Sequence, residues 1–292
     1  MKPGSLIRTL GVCCALGLFS GSQSANAQSL VEPTSAPIVL APIFVTPTAP
    51  VVNEQLRNSR VRDARDVSEA QIEQLFKSRN VAYPASDIFI RVFKWERTLE
   101  LWARSSETEE FQLVKSYPIC AMAGMLGPKV QQGDAQVPEG FYYIDRFNPS
   151  SSFHLSLGIN YPNERDRAAN KAGHNLGGQI FIHGGCKSEG CLAMTDEGIK
   201  ELYWIALTTH ANGQDRIPVH IFPMRFSDKH VKGVGAVKES DPELAAFWRS
   251  LKPGFEFFQL TRRLPEIGLD ADGQYRINAN GDVLARALTI SQ

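Results

Sequence analysis

Followed along the chain, the apolar positions change period several times. Between residues 53 and 80, Leu56, Val61, Val67, Ile72, Leu75 and Phe76 recur among charged and polar neighbours, which predicts one or two amphipathic helices. From Asp87 the period shortens. Ile88, Ile90, Val92, Phe93 and Trp95 predict a strand, Arg97-Thr98 a turn, and Leu99, Leu101 and Trp102 its hairpin partner. Phe111, Leu113, Val114, Tyr117 and Ile119 predict a further strand, broken by Gly124, Gly127 and Pro128. Pro138-Glu139-Gly140 turns the chain into an extended run from Phe141 to Ile144. A polar, loop-rich segment carrying His154, Tyr161-Pro162-Asn163 and Arg165-Asp166-Arg167 then leads to Gly173, Gly177 and Gly178, and residues 179–182 read as a short buried strand. Thr195 is placed to cap a helix whose apolar face is Ile199, Leu202, Tyr203 and Ala206, with Asp196 and Glu197 in the favourable first turn. A strand over 217–226 and a helix over 242–251 follow, and 255–260 either extends that helix or starts another. Many strands with a few helices predict a mainly β fold with α elements, an α+β architecture, with the four tryptophans in its core.

The ends of the chain follow other rules. Lys2 and Arg8, an apolar run from Leu10 to Phe19 and then Ala25-Asn26-Ala27 predict a signal peptide over 1–27, with cleavage after Ala27. The run is shorter than the roughly 20 apolar residues that spanning requires, and no later stretch approaches that length, so no membrane segment is expected to be retained. Residues 28–52 carry Pro33, Pro37, Pro42, Pro47 and Pro50 and predict an extended linker. A helical lead-in over 53–86, a main domain over 87–226 and a C-terminal extension over 227–292 packed on the core complete the division.

Composition narrows the function classes. With 43% hydrophobic residues and no net charge, the chain can bury a substantial core, and it lacks the clustered Lys and Arg of a nucleic-acid footprint. Of its five cysteines, Cys13 and Cys14 fall in the signal and leave Cys120, Cys186 and Cys191. An odd number in an exported protein leaves a thiol over. A working cysteine fits that count; so do a Cys120–Cys186 disulfide with one inert thiol, or three buried reduced thiols.

The chemistry concentrates in residues 181–194, Phe-Ile-His-Gly-Gly-Cys-Lys-Ser-Glu-Gly-Cys-Leu-Ala-Met, where an apolar run delivers His183 into a glycine-rich turn and Cys191 follows shortly before a helix. A cysteine attacks as the thiolate and needs a proton acceptor, which His183 can be, and a glycine turn lets backbone N–H groups approach a developing oxyanion. Zinc on His183, Cys186 and Cys191 is the competing reading and lacks a placed fourth ligand. Cys186 has three readings: a thiol beside the site, a disulfide partner of Cys191, or a buried structural residue. Ser188 either holds the turn or meets substrate, and His154, Arg165 and Arg167 sit on a polar segment suited to substrate carboxylates.

His183-Gly184 together with Ser188-Glu189-Gly190-Cys191-Leu192-Ala193-Met194 resembles the active-site signature of the L,D-transpeptidase (YkuD-like) catalytic domain, and the compact spacing resembles its YafK-type branch. The strand-turn-strand at 88–102, Tyr117-Pro118, the segment 137–143 and Tyr161-Pro162-Asn163 extend the likeness over about residues 87–226. The resemblance implies a β-rich catalytic domain in which Cys191 attacks a peptide carbonyl beside meso-diaminopimelate in a peptidoglycan stem and forms a thioester, with His183 as base and no cofactor. It also implies that the Gly184 carbonyl orients His183 and that the Gly190 and Cys191 N–H groups form the oxyanion hole. Glu189 replaces the histidine that many members carry before Gly-Cys, and Ala193 replaces an arginine. Both fit the YafK-type branch, which is associated with cleaving links between protein and peptidoglycan as well as with transpeptidation, so hydrolysis stays open and a peptidoglycan-linked protein is a further partner. A non-catalytic cell-wall binding module is the reading outside enzymology.

Overall fold

The computed structural model of the chain describes residues 50–226 and 241–278; the expected signal peptide, most of the linker and parts of the C-terminal extension lie outside them. Two helices, α1 (Pro50–Gln55) and α2 (Ser59–Ser78), form the lead-in, the second capped by the Asn58 side chain. Residues 50–52, expected in the linker, are already helical.

The centre is an eight-stranded sheet. In chain order its strands are β1 (Asp87–Phe93), β2 (Thr98–Arg104), β3 (Gln112–Pro118), β4 (Gly140–Ser151), β5 (His154–Ile159), β6 (Phe181–His183), β7 (Leu192–Ala193) and β8 (Ile217–Phe222). Across the sheet they run β3-β2-β1-β8-β4-β5-β6-β7, with β1 and β8 parallel, β6 and β7 parallel and the other pairs antiparallel. Period-2 alternation sends Ile88, Ile90, Val92, Tyr142, Ile144, Leu155, Leu157 and Ile182 to one face. There they meet α2 and helix α4 (Asp196–Ala211), which brings Ile199, Leu202, Tyr203 and Ala206 as expected and is capped by Thr195.

The other face is covered by α5 (Pro242–Thr261) and a small hairpin of β9 (Glu266–Leu269) with β10 (Tyr275–Asn278). The two C-terminal helical segments are thus one helix running through Pro253. Phe247, Trp248, Leu251, Phe255 and Phe258 keep one apolar stripe across the proline, and burying that stripe outweighs the hydrogen bond the imide cannot make.

Two further differences concern the expected polar loop. Residues 154–159 are the strand β5, because Leu155, Leu157 and Ile159 alternate inward. Residues 164–169 are α3 (Glu164–Ala169), closed by a reciprocal capping box between Asn163 and Asp166. Trp95, expected in the core, is 64% exposed beyond the end of β1.

One polar node is buried between the sheet and its cover. Lys94 Nζ lies 3.0 Å from Glu139 Oε1, with both side chains at 0% exposure, and donates to the carbonyls of Gly127 and Val137 at 2.8 Å each. Glu139 Oε1 accepts the Gly127 N–H at 2.7 Å, and Oε2 accepts Trp248 Nε1 at 2.7 Å. The end of β1, the loop between β3 and β4, and α5 therefore meet at one fully bonded ion pair.

Candidate active site

The register of the last two strands sets the site. Ile182 pairs with Leu192 and His183 with Ala193 in parallel, and Cys191 is the residue just before β7. Ile182 and Leu192 both point into the core. Alternation along β6 turns Phe181 and His183 to the other face, and the Phe181 backbone bonds to Cys191. The Cys191 thiol donates to the Gln179 carbonyl at 3.7 Å.

His183 is 3% exposed, and its Nδ1 is 2.6 Å from the Gly184 carbonyl. A carbonyl only accepts, so Nδ1 carries the proton and Nε2 presents a lone pair. Phe153, at the tip of the β4–β5 hairpin, stacks on the imidazole with centroids 4.7 Å apart and planes at 29°. Its carbonyl takes the Gly184 N–H at 3.0 Å. A side chain at Gly184 would meet Asp196 Oδ1 at 2.5 Å, and that same oxygen accepts the Gly185 N–H at 2.8 Å. Gly190 has φ +126°, and a Cβ there would lie 3.3 Å from the Gln136 carbonyl. Both glycines are thus set by close neighbours. Phe153 and Gln179 carried no signal in the sequence and Asp196 only that of a helix start, because their roles at the site come from the strand pairing and loop path that bring them to the turn.

Burial lowers the His183 pKa, against the opposing bond to Gly184, and raises that of Cys191, against the Phe181 backbone and the Lys129 charge. Both shifts favour a neutral thiol beside a neutral imidazole at rest.

Cys120 and Cys186 form a disulfide, and Cys191 is the free thiol among the described residues. This corrects the pairing of Cys186 with Cys191, and it removes Cys186 from the zinc set. The bond ties the start of the β3–β4 loop to the turn between His183 and Cys191, alongside bonds from Cys120 N to Ala193 O and from Ala193 N to Ala121 O of 3.0 and 3.1 Å. Cys186 is an exposed residue of that turn. Its loop closes over a sequence separation of 66, so chain entropy alone contributes about 4 kcal/mol. We expect Cys120→Ser/Cys186→Ser to lower Tm by on the order of 10 °C in differential scanning calorimetry, and a shift under 2 °C would show that the turn holds without the bond.

The remaining sequence candidates disperse. Ser188 Oγ donates to the Cys191 carbonyl at 2.6 Å and accepts the N–H groups of Gly190 and Cys191 at 3.2 and 2.9 Å. Its hydroxyl is spent on the turn, and the two N–H groups expected to stand open as an oxyanion hole are occupied by it. His154 opens β5 at φ +69°, with its carbonyl accepting Arg60 Nη1 at 2.6 Å. Arg165 is buried, with its guanidinium 3.8 Å over the Phe247 ring. It lines two clefts of about 440 and 540 Å³, neither of which has His183 or Cys191 in its walls. Arg167 is exposed on α3. The polar-loop expectation failed because α3 turns Arg165 toward the C-terminal cover.

Among the described residues no helix is long and apolar enough to cross a membrane, and no group of three or more His, Cys, Asp or Glu is placed to hold a metal ion.

Comparison with known proteins gives the same direction as the turn. Residues 88–221 match the model of the L,D-transpeptidase catalytic domain, YkuD. Over 195 residues, 66% of this chain and 74% of the relative, the sequence is 37% identical to an Escherichia coli K12 protein, YafK, whose name marks its L,D-transpeptidase activity as unproven. Among solved structures, the helical cell shape determining protein Pgp2 of Campylobacter jejuni aligns at TM-score 0.38 and 16% identity, covering 63% of this chain and 73% of that one. Bd1075 of Bdellovibrio bacteriovorus aligns at TM-score 0.35 and 22% identity over 72% of each chain. By the domain match and the extent of the YafK likeness, the chain belongs to the L,D-transpeptidase catalytic-domain family.

Proposed function

We propose that this chain is an exported, periplasmic cysteine acyltransferase acting on peptidoglycan stem peptides at meso-diaminopimelate. The observation that carries the reading is the geometry of His183: its Nδ1 proton is fixed on the Gly184 carbonyl, so its Nε2 lone pair is left open on β6, the strand whose Phe181 backbone bonds to Cys191. Nε2 takes the thiol proton as sulfur attacks the carbonyl carbon. The C–N bond then breaks, the departing amine takes the proton from the imidazolium, and a thioester to Cys191 remains. A second amine, deprotonated by the same nitrogen, attacks the thioester and releases the thiol; that is transpeptidation, and water in the amine's place gives hydrolysis. An oxyanion that uses the Gly190 and Cys191 N–H groups has to displace the Ser188 hydroxyl from them. No cofactor enters the cycle.

The test is product analysis of purified muropeptides with wild-type protein and Cys191→Ala. New cross-links identify a transpeptidase, and shortened stems or released protein anchors identify a hydrolase. Identical products from wild type and Cys191→Ala, with no carbapenem adduct at Cys191, would leave a binding module as the reading.

A further inference from the structure

The floor beside Cys191 carries an arginine that sequence reading passed over. Register places Arg146 of β4 opposite Gly158 of β5 and Gly158 opposite Phe181 of β6, and the Phe181 backbone bonds to Cys191. Arg146, Gly158 and Phe181 form one row across the sheet, about 10 Å long at about 4.8 Å between strands, with Cys191 at its end. Arg146 lies along it. Its Cγ and Nε are each 2.5 Å from where a Cβ on residue 158 would stand, so only glycine there lets the side chain cross β5. Its guanidinium carbon ends 4.8 Å from the centre of the Phe181 ring, next to the nucleophile's strand.

The charge is only lightly held. Nη1 meets Asp145 Oδ2 at 3.0 Å, in a pair whose side chains are 38% and 27% exposed. Such a pair contributes little and exchanges readily for another carboxylate. Nε is buried without a partner. A planar guanidinium offering two parallel N–H groups above an aromatic ring is matched to a carboxylate. Lys129, the cation that acts on Cys191, is already committed to Asp134 and the Gln131 carbonyl at 2.6 and 2.8 Å.

We propose that Arg146, seated on Gly158 and Phe181, is a carboxylate-binding subsite that holds the free carboxylate at the far end of the substrate's diaminopimelate side chain while Cys191 attacks the carbonyl at its near end. The inference rests on the acyl-transfer reading and adds what selects the substrate. Gly158 is then a specificity device, because its missing side chain is the channel in which the arginine lies.

The experiment compares two synthetic stem tetrapeptides, one with the distal diaminopimelate carboxylate free and one with it amidated, by steady-state kinetics. Wild type is expected to favour the free carboxylate in kcat/KM by about 10- to 100-fold, the range of a hydrogen bond to a charged group, mostly through KM. Arg146→Gln should lose that preference by slowing on the free peptide alone, Arg146→Lys should keep part of it, and Gly158→Ala should behave like Arg146→Gln. Equal handling of the two peptides by wild type would overturn the proposal whether or not the variants fold, as would an Arg146→Gln that slows equally on both. If wild type turns over neither peptide, the acyl-transfer reading has failed instead. The subsite is then judged by calorimetric binding of the same peptides to Cys191→Ala protein, where affinity indifferent to amidation overturns it.

Discussion

Replacing His183 with Ala should lower kcat/KM for stem-peptide turnover by about a thousandfold, within the 10²–10⁴ range of a positioned general base, and it should change the shape of the pH profile. In the wild type the reactive form is neutral imidazole beside thiol. Burial lowers the His183 pKa from 6.5, so the acidic limb falls below that value, and burial raises the Cys191 pKa from 9.0, so the alkaline limit moves above it. Turnover should therefore hold a plateau between the two. Without the imidazole, reaction waits on thiolate formed by solvent, and the residual rate should climb tenfold per pH unit toward the raised thiol pKa. A His183→Ala protein that keeps the plateau would remove the base assignment; loss of rate with unchanged shape would assign His183 to positioning alone.

The second large effect is on stability. Lys94→Met should cost about 3–5 kcal/mol, because it leaves the Glu139 carboxylate charged, buried and without its counter-ion. In a domain of this size that is a fall in Tm on the order of 10 °C by calorimetry. The double variant Lys94→Met/Glu139→Gln should recover part of the loss, since no isolated charge remains, while the amide oxygen accepts from only one of the Gly127 and Trp248 N–H groups and the amide nitrogen leaves the other without an acceptor. A single variant that melts with the wild type would show that water reaches the node. The same loop lies against Gly190 through Ala135 and Gln136, so loosening it also loosens the turn that carries Cys191.

Much of this was legible where an element's own residues decide its pattern. Dense β-branched and aromatic runs, buried on both faces, found β1 and β2, and Thr195 with the acidic first turn found the start of α4. His183 and Cys191 could be picked out by type and spacing. The alternation of Leu155, Leu157 and Ile159 was also present, but glycine and polar residues between them hid it, and the hairpin tip that brings Phe153 onto His183 went with it. A proline normally ends a helix, yet α5 continues through Pro253 because tertiary burial of one stripe outweighs a local preference. The Cys120–Cys186 pairing and the row from Arg146 to Cys191 depend on which strands are neighbours and in what register. A single chain does not carry that information locally, and Arg146 and Gly158 show nothing of their relation until β4 and β5 are paired.

The place of Cys191 has a consequence for how long the candidate site stays assembled. β7 is two residues long at the rim of the sheet, held by β6 along one side and by backbone bonds to Cys120 and Ala121 along the other. We expect it to open while the ladder from β3 to β5 stays intact, so that the lifetime of the turn between His183 and Cys191 follows a local opening and not the unfolding of the domain. Amide hydrogens of Ala193 and Met194 then report readiness for chemistry, and those of β1 and β2 report the fold.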